Sequence, residues 1–273
     1  MSEVCAIILA AGEGQRLRPL TTLLPKALCP VGNVALLDRA LQRVEALGLP
    51  AAVNAAYLGE QVVAHVGTRA HVSVEPDGPL GTSGGVGLLR DWIDGRGVLV
   101  GNADAYLADP DRAPGKDIAA LLDGWDGDSV RMLTTAPRPG RAGEFGGECF
   151  AGFSLLPWRL VRDLTPAFSD LVRTVWRPAE AAGDLSLIRY AGRYIDTGTP
   201  ADYLAANLHA AAGTTDPTAV VTGHATQSVI GAGATVAGQV TRSVIWPGAT
   251  VAPGELLTAV IRAGTDMTVS APA

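Results

Sequence analysis

Short apolar runs alternate with longer amphipathic segments over roughly the first 210 residues of this chain. The runs of strand length lie at 4–10, 51–55, 71–75, 98–101, 129–135, 149–155 and 185–190. Between the first two runs, the apolar residues recur at helical spacing, at Val34, Leu37, Leu41, Val44 and Leu47. Alternating strands and helices are typical of a parallel sheet covered by helices on both faces. We therefore predict an α/β fold with a doubly wound, mostly parallel, Rossmann-like sheet.

The C-terminal stretch has a different texture, rich in Gly, Ala, Thr and Val and almost free of charge. Two copies of one pattern align closely, IGAGATVA at 230–237 and IWPGATVA at 245–252. Within each copy two aliphatic residues lie six apart, the first copy's pair being Ile230 and Val236. This period is typical of a parallel β-helix, in which successive coils stack their aliphatic residues into a thin core.

The change in texture predicts a domain boundary after residue 212. The main domain would occupy residues 1–212, and a short β-helix would occupy residues 213–273. Because so few coils bury little apolar surface alone, we expect this segment to pack on the main domain or on another subunit.

The formal net charge of −6 argues against a nucleic-acid partner, because phosphate-backbone binding needs a basic stripe and the sequence shows none. No apolar run reaches the ~18 residues of a membrane-spanning helix, and no secretion signal begins the sequence. We expect a cytoplasmic protein with no membrane partner. Cys5, Cys29 and Cys149 are too scattered for a disulfide framework or a zinc site, so we interpret them as buried small hydrophobes. A solvated acidic face is predicted at Asp109, Asp111, Asp117, Asp123, Asp126 and Asp128.

The loop after the first predicted strand reads LAAGEGQRLRPLTTLLPK, from residue 9 to residue 26. A glycine-rich turn at this place in a doubly wound sheet can bring backbone N–H groups close to phosphates, and Gly12 and Gly14 would permit that approach. The cations of the loop are Arg16, Arg18 and Lys26. The loop is not a dinucleotide fingerprint, because Leu17 replaces the third glycine, and it is not a Walker loop, because no glycine precedes Lys26.

Taken together with three later motifs, this loop resembles the signature of sugar-1-phosphate nucleotidyltransferases. The later motifs follow in that family's order: LGTSGG at 80–85, VLVGNADAYL at 98–107 and YIDTGTPADYLAAN at 194–207. The resemblance covers nearly the whole chain. It implies a Rossmann-like catalytic domain, and a C-terminal left-handed β-helix is a familiar attachment in the family.

The family joins a nucleoside triphosphate (NTP) and a sugar-1-phosphate into a nucleotide sugar, with release of pyrophosphate. The resemblance implies that Asp104 and Asp196 bind Mg²⁺, that Arg16 stabilises the leaving pyrophosphate, and that Lys26 bridges the α-phosphate and the sugar phosphate. It implies nucleotide contacts from Ala11, Gly12, Gly14, Glu75, Gly81 and Thr82. It implies sugar-phosphate contacts from Gly84, Glu148 and Gly152.

The resemblance weakens between residues 134 and 157. The family has a Glu-Lys-Pro segment there, whose lysine holds the sugar phosphate, but neither lysine of this chain lies nearby. Arg138 or Arg141 could replace the lost cation, with a different grip. Phe150 also stands where the family has an asparagine.

Within the family the motifs look most like those of the guanylyltransferases that make GDP-mannose, so we expect GTP and a hexose-1-phosphate as substrates. The motifs also resemble the uridylyltransferases of amino-sugar salvage. Two further hypotheses stay open. One is a uridylyl-, thymidylyl- or other nucleotidyltransferase that acts on an amino-sugar phosphate, a cyclitol phosphate or phosphocholine. The other is a non-catalytic paralogue that binds a nucleotide sugar and regulates a partner enzyme. We expect a homo-oligomer.

Overall fold

The computed structural model describes residues 3–271 and divides the chain into two compact units. The first unit comprises Met1–Glu13 and Leu37–Tyr194, and the second comprises Gly14–Leu36 and Ile195–Ala273. This division differs from the boundary predicted at residue 212, because the loop at 14–36 and the helix after residue 199 pack with the β-helix. The boundary at 212 stays a prediction about where the catalytic domain ends. None of the helices in residues 3–271 has the length and apolar character that a membrane crossing requires.

The strands before residue 200 are β1 (Val4–Leu9), β2 (Pro30–Val31), β3 (Val34–Ala35), β4 (Ala51–Ala55), β5 (His71–Val74), β6 (Gly97–Asn102), β7 (Ala105–Ala108), β8 (Val130–Thr135), β9 (Cys149–Leu156), β10 (Leu185–Arg189) and β11 (Arg193–Asp196). The α-helices are α1 (Leu36–Ala46), α2 (Gly59–Val66), α3 (Gly81–Leu88), α4 (Arg90–Ile93), α5 (Trp158–Val161), α6 (Arg177–Ala181) and α7 (Pro200–Ala211). A π-helical turn at Val172–Trp176 leads directly into α6, and short 3₁₀ turns lie at Gln15–Leu17, Leu20–Thr22, Lys26–Leu28 and Ala119–Leu121.

A seven-stranded sheet forms the centre of the first unit, in the order β10-β8-β9-β6-β1-β4-β5. Only β9 runs antiparallel to its neighbours in this sheet, so the predicted mostly parallel, doubly wound fold is confirmed. Each predicted run is one of these strands, and the bounds differ by at most one residue at either end. Cys5 to Ile8 of β1 are fully buried, and β1 is an interior strand of the sheet, between β6 and β4.

The predicted helix at 34–47 is α1, which begins two residues late because Val34 and Ala35 pair with β2 in a short hairpin. The carboxyl ends of β1, β4, β5, β6, β8 and β10 share one edge of the sheet with the beginning of β9. In doubly wound folds ligands bind at this edge. The candidate site residues of the first unit that follow a strand therefore lie at this edge of the sheet.

The C-terminal stretch forms three short parallel sheets, which confirms the predicted β-helix. Its strands are β12 (Val220–Val221), β13 (His224–Thr226), β14 (Val229–Ile230), β15 (Thr235–Val236), β16 (Gln239–Thr241), β17 (Val244–Ile245), β18 (Thr250–Val251), β19 (Leu256–Thr258), β20 (Val260–Ala263) and β21 (Met267–Ser270). The sheets are β12-β15-β18, β13-β16-β19 and β14-β17-β20, and β21 adds to the last as an antiparallel strand.

The two sequence copies lie directly on one another in this β-helix. Ile230 pairs with Ile245, and Val236 pairs with Val251, so each copy forms the same part of two successive coils. All four side chains are fully buried. The small residues between them allow the tight corners that a coil needs. The left-handed sense of the coil stays a prediction.

Helix α7 ties the parts of the second unit together through buried hydrogen bonds. The Tyr203 hydroxyl donates to the carbonyl of Pro30 and accepts from Nε1 of Trp246 at 3.0 Å. The Asn207 side-chain oxygen accepts from the backbone N–H of Gly32 at 2.9 Å. Tyr203 and Asn207 are both fully buried. One helix therefore holds the loop at 14–36 and the β-helix at the same time.

Replacing Tyr203 by Phe should destabilise the second unit. The change leaves the Pro30 carbonyl and the Trp246 indole N–H buried without this partner, which costs about 1–3 kcal/mol. Urea unfolding of the whole protein measures the effect as a lower transition midpoint. Tyr57→Phe, at a half-buried tyrosine of the first unit, is the matched control. Equal midpoints for the two variants would contradict the role given to the Tyr203 hydroxyl.

Candidate active site

Three strand ends of the first unit are joined by two buried polar side chains. The Asn54 side chain accepts from the backbone N–H of Ala10 and donates to Glu75, both at 2.7 Å. The second carboxylate oxygen of Glu75 accepts from the N–H of Leu80 at 2.7 Å. Asn54 and Glu75 are 2% and 3% exposed. They fix the ends of β1, β4 and β5 and the start of the LGTSGG turn relative to one another.

The sequence motifs predict a nucleotide contact for Glu75. Both of its oxygens are used inside the protein, so the geometry makes it a support for the turn, and contact with the nucleotide stays a prediction. After β1 and Ala10, the loop continues with Ala11, which is buried, and Gly12, which is exposed and has open space where a side chain would stand. A ligand can therefore approach the backbone at Gly12 closely.

The glycines of α3 pack against the backbone of residues 164–169. A side chain on Gly84 would overlap the carbonyl oxygen of Ala167, and one on Gly81 would overlap that of Ser169. The Thr82 hydroxyl accepts from the N–H of Leu171 at 2.9 Å. The LGTSGG motif thus holds a neighbouring segment of the chain at backbone contact distance. Ligand contacts by Gly81, Thr82 and Gly84 stay predictions.

Asp104 lies half-buried at the end of β6, one residue before β7. Strand β7 is anchored by a buried arginine: Arg43 donates to the carbonyl of Leu107 at 2.7 Å and to Asp117 at 3.0 Å. The Tyr190 hydroxyl donates to the same carboxylate at 3.3 Å, and burial raises the pKa of this tyrosine. These contacts hold the strand that follows Asp104.

The prediction of a solvated acidic face is wrong for Asp117. This side chain is buried in an ion pair with Arg43 and also accepts from the N–H of Gly115. The sequence shows an acidic cluster but not the partner, which lies 74 residues earlier in the chain.

Glu148 lies at the beginning of β9, on the same edge of the sheet. Thr134 donates to one of its oxygens, and Arg189 lies 3.7 Å from the other. Thr134 is fully buried, whereas the Arg189 side chain is 65% exposed. The structure thus brings an accessible cation beside the predicted sugar-binding carboxylate. The sequence motifs did not identify Arg189.

Gly152 allows β9 to pass close to the residue that follows Asp104. A side chain on Gly152 would overlap Cβ of Ala105, so this glycine has a packing role, and sugar contact stays a prediction. Within the first unit, the structure therefore brings Gly152 next to the Asp104 turn.

In the second unit, the loop after Glu13 folds around Gly14. Gly14 has a positive φ of 61°, and a side chain there would lie 2.8 Å from Thr21 and 2.9 Å from Lys26. The Gly14 carbonyl accepts from the Thr21 hydroxyl at 3.0 Å and from the N–H of Leu17 at 2.9 Å. The loop is therefore compact, and Lys26 is mostly buried within it.

Asp196 lies at the end of β11 and pairs with two cations of that loop. Arg16 reaches one oxygen at 3.5 Å, and Lys26 reaches the other at 3.7 Å. The Arg16 and Asp196 side chains are 66% and 44% exposed, and Lys26 is 10% exposed. Three of the four predicted catalytic residues thus meet in the second unit.

Helix α7 begins directly after this cluster, at a cap that the sequence encodes. The Thr199 hydroxyl accepts from the N–H of Asp202 at 3.2 Å and donates to its carboxylate at 2.8 Å. Pro200 occupies the first helical position, where its missing N–H costs nothing. The cap fixes the turn between Asp196 and α7.

Two of the three cysteines are buried and poorly suited to be nucleophiles. Burial raises the pKa of Cys29 to about 12 and that of Cys5 to about 11, so both thiols stay protonated at neutral pH. Cys149 is only partly buried. The interpretation of Cys5 and Cys29 as small buried hydrophobes is confirmed.

Residues 3–271 contain no cluster of three or more His, Cys, Asp or Glu side chains arranged to hold a metal. Mg²⁺ is often bound by only one or two carboxylates, with substrate phosphates and water completing the shell. Asp104 in the first unit and Asp196 in the second are partly exposed carboxylates, and each by itself offers the hard oxygen donors that Mg²⁺ prefers.

Comparisons with known proteins find similar sequences among nucleotidyltransferases. Residues 6–141 match the model of the MobA-like NTP transferase domain. An N-acetylmuramate alpha-1-phosphate uridylyltransferase of Neisseria meningitidis is 38% identical over 36% of this chain and 46% of its own. The catalytic subunit beta of mannose-1-phosphate guanylyltransferase from Dictyostelium discoideum is 25% identical over 73% of this chain and 62% of its own. The chain thus spans about half to two thirds of the length of these relatives.

A solved structure has the same fold. A Bacillus anthracis protein described as a glucose-1-phosphate thymidylyltransferase superposes with a TM-score of 0.63 and covers 76% of this chain and 95% of its own, at 19% identity. The sequence match, the fold and the loop-and-strand motifs agree with the predicted nucleotidyltransferase. Over residues 6–141, this chain is therefore similar to the MobA-like NTP transferase domain.

Proposed function

We propose that this protein is a sugar-1-phosphate nucleotidyltransferase, which joins an NTP and a sugar-1-phosphate into a nucleotide sugar and releases pyrophosphate. The observation that carries the proposal is the pairing of Arg16 and Lys26 with Asp196. Two cations on a compact loop and one carboxylate at a strand end are the charges that a metal-assisted transfer between polyanions needs.

In this reaction an oxygen of the sugar phosphate attacks the α-phosphorus of the NTP. The bond from the α-phosphorus to the bridging oxygen breaks, and the electron pair leaves with pyrophosphate. Both reactants are anions, so the protein's task is to bring them together and neutralise their charge. Arg16 would bind the leaving pyrophosphate, because a guanidinium grips two phosphate oxygens at once. Lys26 would bind the α-phosphate and the sugar phosphate as a point charge.

Asp104 and Asp196 would hold Mg²⁺, which supplies charge neutralisation and alignment of the phosphates when bound. The backbone at Ala11 and Gly12 would bind phosphate oxygens through N–H groups, since Gly12 is exposed and unobstructed. Gly14 would keep Lys26 in place, because a side chain there would collide with Lys26, and its backbone would contact the nucleotide.

We also propose that Arg189 supplies the cation that the sequence lacks between residues 134 and 157. It lies beside Glu148 at the end of β10 and is accessible. An arginine paired with a carboxylate can bind an acidic group of the acceptor while Glu148 accepts from sugar hydroxyls. Arg138 and Arg141, the two arginines that the sequence favours for this role, remain in competition with it.

Two substrate pairs are proposed. GTP with a hexose-1-phosphate follows from the motifs and from the guanylyltransferase relatives. UTP with N-acetylmuramate 1-phosphate follows from the two uridylyltransferase relatives, at 38% and 34% identity. Arg189 would favour the second pair if it bound the acceptor's carboxylate in place of its phosphate, because N-acetylmuramate carries a carboxylate that a neutral hexose lacks.

The first experiment measures Mg²⁺-dependent pyrophosphate release with ATP, CTP, GTP, UTP and dTTP. Each is paired with mannose 1-phosphate, glucose 1-phosphate, N-acetylmuramate 1-phosphate, a cyclitol phosphate and phosphocholine. Activity with GTP or UTP and one sugar phosphate is expected, and it would identify the base and the acceptor together. Nucleotide binding without turnover on any acceptor would favour the regulatory paralogue.

Asp104→Asn should lower turnover by roughly 10²-fold or more while leaving the fold intact, because the amide keeps the shape of the side chain and loses its charge. The assay is pyrophosphate release, and circular dichroism with thermal unfolding reports the fold. Asp94→Asn, at an exposed aspartate of the same unit, is the control. Near-normal turnover of Asp104→Asn would remove this residue from the site.

Arg189→Ala should raise KM for the sugar phosphate about tenfold and leave KM for the NTP unchanged, because it removes a charge contact to one substrate only. Arg173→Ala removes a charge of the same unit whose side chain is 88% exposed and serves as the control. Arg138→Ala and Arg141→Ala are measured beside it. A rise in the acceptor KM for either of these, but not for Arg189→Ala, would transfer the role to the loop.

A further inference from the structure

Asp196 belongs to a cluster of three charged side chains. Arg16 and Lys26 each approach a different oxygen of the same carboxylate, at 3.5 and 3.7 Å. The three side chains together carry a net charge of +1, by two cations and one anion. Either ligand of the proposed reaction, a divalent cation or a polyphosphate, therefore meets a group of its own sign here.

A divalent metal that binds Asp196 must displace both cations or sit beside them. A triphosphate that binds Arg16 and Lys26 must take them from Asp196 and then face that carboxylate. If the metal and the triphosphate arrived together, the metal would pair with Asp196 and the phosphates would pair with the cations. No like charges would then be left facing each other.

We propose that Asp196, Arg16 and Lys26 form an ion-pair exchange site that accepts a divalent metal and a nucleoside triphosphate together and disfavours either one alone. The inference rests on the proposed function for the identity of the nucleotide. It adds one point to that function. The ion pairs that hold Arg16 and Lys26 in place for phosphate also lower the affinity of Asp196 for free metal. By linkage, each ligand raises the affinity for the other.

The packing identifies Arg16 as the partner that moves. Lys26 is 10% exposed and is held against Gly14. Arg16 is 66% exposed, and its guanidinium lies over Gly198, where any side chain would overlap it. Gly198 therefore leaves Arg16 its place beside Asp196. Gly198, two residues after Asp196, is therefore part of the exchange site.

The first test measures metal binding without nucleotide. Mn²⁺ is titrated into the full-length protein, and the free ion is followed by its electron paramagnetic resonance signal. Arg16→Ala should bind Mn²⁺ several-fold more tightly than the wild type, because it removes a competing cation. Arg242→Ala, which removes an equal charge from the β-helix, should leave the affinity unchanged. Arg16→Ala with wild-type affinity, or a gain matched by Arg242→Ala, would overturn the exchange.

The second test measures nucleotide binding without metal. GTP and UTP are titrated by calorimetry in excess EDTA. Asp196→Asn should bind the preferred nucleotide several-fold more tightly than the wild type, because the cations are released. Asp266→Asn, at an exposed aspartate of the same unit, is the control. A loss or no change of affinity in Asp196→Asn would overturn the exchange, since a plain metal ligand gives that result.

The two tests separate this inference from the proposed function. The Mn²⁺ titration contains no nucleotide, so its result decides the competition at Asp196 whatever the substrate is. If neither GTP nor UTP binds the wild type with or without Mn²⁺, the proposed transferase fails. A several-fold gain in Mn²⁺ affinity for Arg16→Ala would still support the exchange of ion pairs in that case.

Discussion

The buried carboxylate of Glu75 is the constraint on which the geometry of the first unit depends. A charge removed from water must be hydrogen-bonded, and Asn54 and the N–H of Leu80 satisfy both of its oxygens. Asn54 in turn accepts from Ala10, at the end of β1. One buried polar chain thus fixes three strand ends and the start of the LGTSGG turn. The loop that follows Ala10 therefore starts from a fixed position at the edge of the sheet.

The small residues of the motifs serve close packing before they serve any ligand. Gly84 lies against the backbone of residues 164–169, and Gly152 lies against Ala105. A sequence motif does not separate these roles, because the lack of a side chain suits a neighbouring backbone as well as a phosphate. Gly12 is different, since open space lies where its side chain would stand. Among these glycines, it has the surroundings that a ligand requires.

The fold was largely predictable from the sequence because its signals are local. Strand-length apolar runs and the two aligned copies at 230–237 and 245–252 each lie within a few residues, and the strands formed where they predict. The site was only partly predictable. Arg189 and Glu148 lie 41 residues apart, and only the pairing of β10 with β8 and of β8 with β9 brings them together. Asp117 looks like one of several exposed aspartates until Arg43 is placed beside it. Residues that become partners only through the tertiary structure have no characteristic spacing in the sequence.

The pairing of cations with carboxylates explains how an acidic chain can select anionic ligands. With a net charge of −6, the protein as a whole does not attract polyphosphates, so attraction must be local. In the proposed function Arg16 and Lys26 would supply it in one unit and Arg189 in the other, yet each is already paired with a carboxylate. A cation that is already paired binds a simple anion weakly, because binding the anion breaks the existing ion pair. It would bind a ligand that also offers the carboxylate a partner more strongly, as a metal ion would at Asp196 or a sugar hydroxyl would at Glu148 in the proposed reaction. Selectivity then follows from exchange of partners rather than from excess positive charge.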